Sequence, residues 1–201
     1  MVDEEDNGIK VIFLGESHVG KTNLIKISIG KPFEMESITT WAASYVPKEF
    51  FFKNQKYIFN LWDTIGQETY RSLTKIFFKG ANIVILVYDI TERKSFEELD
   101  YWYGQVKNEL GDNFILAIVG NKIDLYAEEK VSEEEGQSYA NEKGAKFALC
   151  SAKDDPKGFI KFLEELFQDY IEKYGNNIGN RQRGLSIREN NYKNKTIKCC
   201  S

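Results

Sequence analysis

The sequence predicts an α/β domain built on a six-stranded, mostly parallel sheet with one antiparallel edge strand and five helices. Three observations predict it. Short apolar runs of strand length alternate along the chain with segments of helical period. Two polar motifs begin directly where an apolar run ends, the place at which open α/β sheets bind ligands. One pair of strands is joined by a link too short for a crossover, so that pair must be antiparallel.

The elements follow in order. Ile9-Lys-Val-Ile-Phe-Leu14 reads as a buried strand, and Lys21 to Ile29 as a helix with apolar Leu24, Ile25 and Ile29. Residues 31–43, with Pro32 and Phe33, are irregular. Ser44 to Phe52 and Lys56 to Trp62 are strands joined by Lys53-Asn54-Gln55, hence a hairpin. Pro47 puts the first of them at the sheet edge, because proline cannot donate to a ladder on both sides. Residues 68–79 read as a short helix, and Ile83 to Tyr88 as a buried strand. Ser95 and Glu98 have capping-box spacing and open a helix. Phe96, Leu99, Trp102, Tyr103, Val106 and Leu110 keep helical spacing on it, and Gly104 costs it about 1 kcal/mol against Ala. Phe114 to Val119 is another buried strand. Ser132 with Glu135 opens the next helix, and Lys146 to Cys150 is the last strand. Phe159, Leu163, Leu166, Phe167 and Tyr170 line the inner face of a final helix, which Gly175 and an Asn-rich stretch should end. Residues 175–198 lack periodicity and hydrophobicity, so disorder is expected there.

With 201 residues the chain suffices for one domain and a tail. The expected division is an acidic N-terminal extension (1–7), a domain (8–174) and a flexible basic tail (175–201) ending Cys199-Cys200-Ser201. The net charge is −4 and unevenly spread. Residues 174–201 set six basic side chains against Glu189, a net of +5, so the remainder carries −9. An acidic body argues against nucleic acid as a partner. A basic tail ending in cysteines argues for an anionic membrane surface. Met1-Val-Asp-Glu-Glu-Asp6 is no signal peptide, and Val2 excludes N-myristoylation. The longest apolar run, Ile83 to Tyr88, falls far below the roughly 20 residues of a membrane span. Three cysteines, two of them adjacent, make no disulfide framework, so a reducing compartment is expected.

Gly15-Glu-Ser-His-Val-Gly-Lys-Thr22 fits the phosphate-loop pattern G-x-x-x-x-G-K-[ST], and it lies between a strand and a helix as that chemistry requires. Gly15 and Gly20 let the backbone turn its N–H groups into one concavity, and the helix dipole adds to this anion site. Candidate contacts are Gly15, Glu16, Ser17, His18, Val19, Gly20, Lys21, Thr22 and Asn23. Lys21 would place its charge on the β- and γ-phosphates, and Thr22 its hydroxyl on magnesium (Mg2+). His18, the only histidine, has no evident acid–base partner and reads as a tolerated loop side chain facing solvent. The second motif, Asn121, Lys122 and Asp124 in Gly120-Asn-Lys-Ile-Asp-Leu125, follows the Phe114–Val119 strand. A carboxylate at Asp124 can accept from both N1–H and the 2-amino group of guanine, a donor pair that adenine lacks. Together the motifs point to binding of GTP and GDP.

On these motifs the chain resembles small GTPases of the Ras superfamily and, more narrowly, the Rab family, over residues 8–174 and the last three. The resemblance rests on Gly15 to Thr22, Thr40, Trp62-Asp-Thr-Ile-Gly-Gln-Glu68, Asn121 to Asp124 and Cys150-Ser-Ala-Lys153. Rab-like features are Lys56 to Trp62, Tyr70-Arg-Ser-Leu-Thr74, Phe77-Phe-Lys-Gly-Ala81 and the terminal Cys-Cys-Ser. Glu36-Ser37 and Ala42-Ala43 are similar to the early-endosomal Rab branch.

The resemblance implies a P-loop GTPase domain, acting as a monomer that cycles between GDP and GTP forms in vesicle traffic. Asp63 would hold a Mg2+-bound water, Gly66 would offer its N–H to the γ-phosphate, and Gln67 would orient the attacking water. Thr40 would be the second threonine on Mg2+, with Thr39 as the alternative. Phe33 would pack against the base, and Ser151, Ala152 and Lys153 would touch guanine through their backbone. Cys150 reads as a small buried hydrophobe. Tyr45, Trp62 and Phe77 match the Rab aromatic triad that faces effectors; ordinary sheet-face aromatics are the alternative. Geranylgeranyl groups on Cys199 and Cys200 would place the protein between the cytosol and the cytosolic face of endomembranes, the endosome among them. Implied partners are an exchange factor, an activating protein, effectors and a prenyl-carrier or GDP-dissociation inhibitor. No arginine finger is evident in the chain, so hydrolysis should be slow without an activator. Trp41, Ala42 and Ile65 depart from the family pattern. Ile65 supports a second expectation, a GTP-loaded, membrane-tethered binding module with little hydrolysis, against which Gln67 argues. A metabolic P-loop kinase is disfavoured by the guanine motif and the lack of a lid.

Overall fold

A computed structural model describes residues 8–35, 44–64 and 77–193, with the side chains of 44 and 176–193 excepted. Its strands are β1 (Ile9–Leu14), β2 (Ser44–Phe52), β3 (Gln55–Asp63), β4 (Ile83–Asp89), β5 (Ile115–Asn121) and β6 (Lys146–Leu149). They form one sheet in the order β2-β3-β1-β4-β5-β6. Only β2 and β3 pair antiparallel; every other neighbour is parallel. Pro47 lies on β2, at the edge, as its missing N–H requires.

The described α-helices are α1 (Lys21–Ser28), α2 (Arg93–Glu97), α3 (Leu99–Leu110), α4 (Glu133–Lys143) and α5 (Pro156–Lys193). Helices cover both faces of the sheet, which explains why β1, β4 and β5 are predominantly apolar rather than alternating. On one face Val11, Phe13, Phe59, Ile85 and Val119 pack with Leu24 of α1 and with Phe159, Leu163 and Phe167 of α5. Phe59 and Phe167 stack with centroids 3.7 Å apart. On the other face Ile12, Leu14, Val84, Leu86 and Ile118 pack with Leu99, Trp102 and Val106 of α3 and Ala140 of α4.

Three sequence expectations need correction. The hairpin link is two residues, not three: Lys53 (φ 49°) and Asn54 (φ 62°) make the turn, and Gln55 pairs with Phe52. Positive φ at both positions matches the strand twist in a two-residue hairpin. Ser95 does not cap a helix. It is buried within α2, donates to the Glu92 carbonyl (2.7 Å) and accepts from the Asp89 amide (3.0 Å). Glu92 caps α2 instead, accepting from the Lys94 N–H. The final helix continues through Gly175 to Lys193. Gly175, Gly179 and Gly184 cost about 1 kcal/mol each, and a polar stretch without proline does not stop a helix outright. The Ser132–Glu135 capping box forms as expected. Residues 68–76 of the expected short helix lie outside the described residues; Phe77 and Phe78 are helical.

Candidate functional site

The carboxyl ends of β1, β3, β5 and β6 gather the candidate residues at one pole of the sheet. The loop after β1 turns on two glycines with positive φ. At Gly15 (φ 143°) a Cβ would sit 2.1 Å from the Val87 carbonyl, and at Gly20 (φ 98°) 2.3 Å from the Asn121 amide nitrogen. No side chain fits either position, so the loop hugs β4 and β5. Lys21, at the start of α1, is buried, and its ammonium donates to the carbonyls of Gly15 (2.9 Å) and Glu16 (2.7 Å). Burial pushes the Lys21 ammonium down to about 8, against the partly opposing charges of Asp63 and Glu16. His18 is exposed with φ 64°, which suits its reading as a solvent-facing loop residue.

Asn121 joins three segments. Its amide donates to the Val19 carbonyl (2.8 Å), and its oxygen accepts from the Ala152 N–H (3.2 Å) and lies 3.7 Å from the Cys150 thiol. Asp124 is held by the same loop. Ser151 donates its hydroxyl to the Asp124 carboxylate (2.6 Å), and the Lys153 ammonium lies 3.8 Å away. The Ser151 oxygen accepts in turn from the Lys153 and Asp154 amides. Cys150 is fully buried, which pushes its thiol well above the ordinary range and makes it inert.

Two partners were not legible in the sequence. The Lys122 ammonium pairs with Asp89 at 2.6 Å, and Asp89 also accepts from the Thr91 amide and hydroxyl. Asp89 lies opposite Asn121 in the β4–β5 register, and only the strand pairing reveals that. The Asn23 side chain is bonded to the backbone of Glu34.

Asp63 ends β3 and is buried. Phe33 is half-buried against the α1/α5 core. Tyr45 and Trp62 stack at 4.9 Å, and Trp62 meets Phe77 at 6.1 Å, so the three aromatics form one contiguous group. Thr40, Ile65, Gly66, Gln67, Cys199 and Cys200 lie outside the described residues, as do Thr39, Trp41 and Ala42.

This architecture agrees with the family comparison: the model of the Ras family matches residues 10–174. The chain is 40% identical over 164 residues to Ras-related protein Rab-21 of Homo sapiens, covering 82% of this chain and 71% of that protein. It is 34% identical over 179 residues to GTP-binding protein ypt3 of Schizosaccharomyces pombe (89% and 81% covered). It is 35% identical over 168 residues to Ras-related protein RABA1b of Arabidopsis thaliana (84% and 78% covered). The chain belongs to the Ras family and, within it, to the Rab small GTPases. It is therefore a GDP/GTP switch of vesicle traffic that hydrolyses GTP, rather than a module that merely holds it.

Proposed function

We propose that the pole formed by residues 15–23, 121–124 and 151–153 binds the guanine nucleotide and that this chain's own groups carry the hydrolysis. The observation behind this reading is the Asn121 side chain, which fastens the phosphate loop to the Asp124–Ser151 pair. The loop amides and the N-terminus of α1 would receive the phosphates. Lys21, now bonded to two carbonyls of its own loop, would turn to the β- and γ-phosphates. Asp124, oriented by Ser151, would accept from guanine, with Phe33 beside the base.

The donor set fits Mg2+: the Thr22 hydroxyl and the buried Asp63 carboxylate are hard oxygen ligands, and Thr40 is assigned to complete them. When bound, the ion neutralises charge on the transferring phosphoryl group. Gln67 would orient the attacking water, and the Gly66 N–H would hold the γ-phosphate oxygen. The Tyr45–Trp62–Phe77 group would face effectors. Cys199 and Cys200 would be prenylated, and the six basic tail residues would hold the protein on the cytosolic face of anionic endomembranes, endosomal by its likeness to Rab-21. An exchange factor, an activating protein and a prenyl-binding dissociation inhibitor would run the cycle.

Single-turnover hydrolysis of GTP tests this. Gln67→Leu should slow the step by about tenfold or more with GTP affinity nearly unchanged, since Leu removes the water-aligning group and nothing that holds phosphate. Equal rates would remove Gln67 from the mechanism.

A further inference from the structure

The side chain of Asn23 is spent on the chain's own backbone. Asn23 stands in the first turn of α1, two residues after Lys21, and is 5% exposed. Its amide nitrogen donates to the Glu34 carbonyl (3.0 Å), and its amide oxygen accepts from the Glu34 N–H (3.2 Å). Both polar groups of one residue's backbone are thus paired with one side chain, as if Asn23 were a short strand. The Asn amide carries its donor and its acceptor on two separate atoms of one short stem, so it can meet both backbone groups at once. The Glu34 side chain adds an ion pair to Lys26 at 2.5 Å, but this pair is solvent-exposed and screened.

The two bonds tie the segment after α1 to the helix whose N-terminus faces the phosphate loop. Phe33 directly precedes the clasped residue and packs half-buried against the core. Glu34 is followed within two residues by the segment that carries Thr40. Opening the clasp would let the 32–34 backbone leave the site, and the site would lose its cover on that side.

We propose that Asn23 is a positioning residue for nucleotide retention: by clasping the Glu34 backbone it keeps Phe33 over the base and slows nucleotide release. This rests on the nucleotide-binding role assigned above to the same pole. Phosphate contacts and guanine reading lie elsewhere, in Lys21 and Asp124, so the clasp acts on how long the ligand stays. It does not act on which ligand is chosen or on the rate of the chemical step.

Release of fluorescent GDP from the full chain is the measurement. Asn23→Ala should speed dissociation about tenfold, the effect of losing two neutral hydrogen bonds. Asn23→Ser, too short to span both Glu34 groups, should move the rate in the same direction. Glu34→Ala, which removes the ion pair and keeps the clasp, should stay within about twofold of the parent. Hydrogen exchange at the Glu34 amide should accelerate in both Asn23 variants and not in Glu34→Ala. Single-turnover hydrolysis of GTP still bound should match the parent in Glu34→Ala, and thermal unfolding of the nucleotide-free protein should fall in the Asn23 variants by no more than the two lost hydrogen bonds account for. A parental GDP release rate in Asn23→Ala overturns the proposal. So does a faster rate without accelerated exchange at the Glu34 amide, which would mean that release does not pass through the clasp. If Asn23→Ala fails to fold, a parental release rate in Asn23→Ser overturns it. A parent that binds no GDP at all, while its Glu34 amide remains protected by Asn23, would instead refute the nucleotide assignment.

Discussion

The Asn121 amide donates to the carbonyl of Val19, 102 positions earlier in the chain, across 2.8 Å. This bond links the loop after β1 to the loop proposed to read guanine, and the same side chain accepts from the Ala152 N–H. One residue therefore sets the spacing between the two loops proposed to grip opposite ends of a nucleotide.

Asn121→Ala should accordingly weaken both GDP and GTP by about 100-fold, because two buried groups lose their partner at once. Displacement of a fluorescent nucleotide reads this. Losses below threefold would mean that the two loops hold their places without Asn121.

Asp124→Asn should exchange guanine for xanthine preference. An amide cannot accept both guanine donors, whereas it can donate to the 2-oxo group of xanthine. Competition titrations with GTP and xanthosine triphosphate decide the matter, and undiminished GTP binding would remove Asp124 from the base site.

The buried Lys21 ammonium gives the nucleotide-free protein a characteristic pH response. Its value is about 8 when folded against the ordinary 10.5. Below pH 8 both folded and unfolded chains hold the proton, and the desolvation cost is fully present. Between 8 and 10.5 only the unfolded chain keeps it, so this residue's contribution to stability rises with pH. Buried Cys150 and Tyr88 are shifted upward and act in the opposite sense at high pH, since the unfolded chain ionises first. Urea unfolding of parent and Lys21→Met isolates the lysine. Parent stability relative to the variant should climb by roughly 3 kcal/mol across that window. A flat difference would show an ammonium that water still reaches.

Changing Cys199 and Cys200 together to Ser should leave the protein in the soluble fraction of lysed cells. Two lipid chains anchor firmly and none leaves only the charge of the tail, which salt screens. Recovery with membranes after a salt wash would exclude the lipid anchor.

Tyr88→Phe should be neutral or slightly stabilising. Among the described residues the buried Tyr88 hydroxyl has no hydrogen-bond partner, while its ring keeps an edge contact with Phe96 at 5.0 Å. Removing an unsatisfied buried group costs nothing in contacts. Thermal unfolding would show a loss above about 1 kcal/mol only if the hydroxyl has a bound water as partner.

Much of this protein was determined locally. β1, the phosphate loop and α1 are legible because apolar run, glycine turn and helix start are short-range signals read from adjacent residues. Ser132 with Glu135 was legible for the same reason, and Pro47 announced the sheet edge. Tertiary structure decided what depends on partners far away in sequence. Ser95 has the spacing of a cap, but β4 brings the Asp89 backbone to its hydroxyl and α2 starts earlier. Lys122 belongs to a recognisable motif, yet its pairing with Asp89 exists only because β4 and β5 lie side by side in that register. Asn23 and Glu34 are eleven residues apart, with no motif joining them, and the turn after α1 alone makes them meet. Sequence carries the period and the turn chemistry. Hydrogen-bond partners across strands and loops are chosen by packing, because a buried polar group takes whichever complement the fold places within reach.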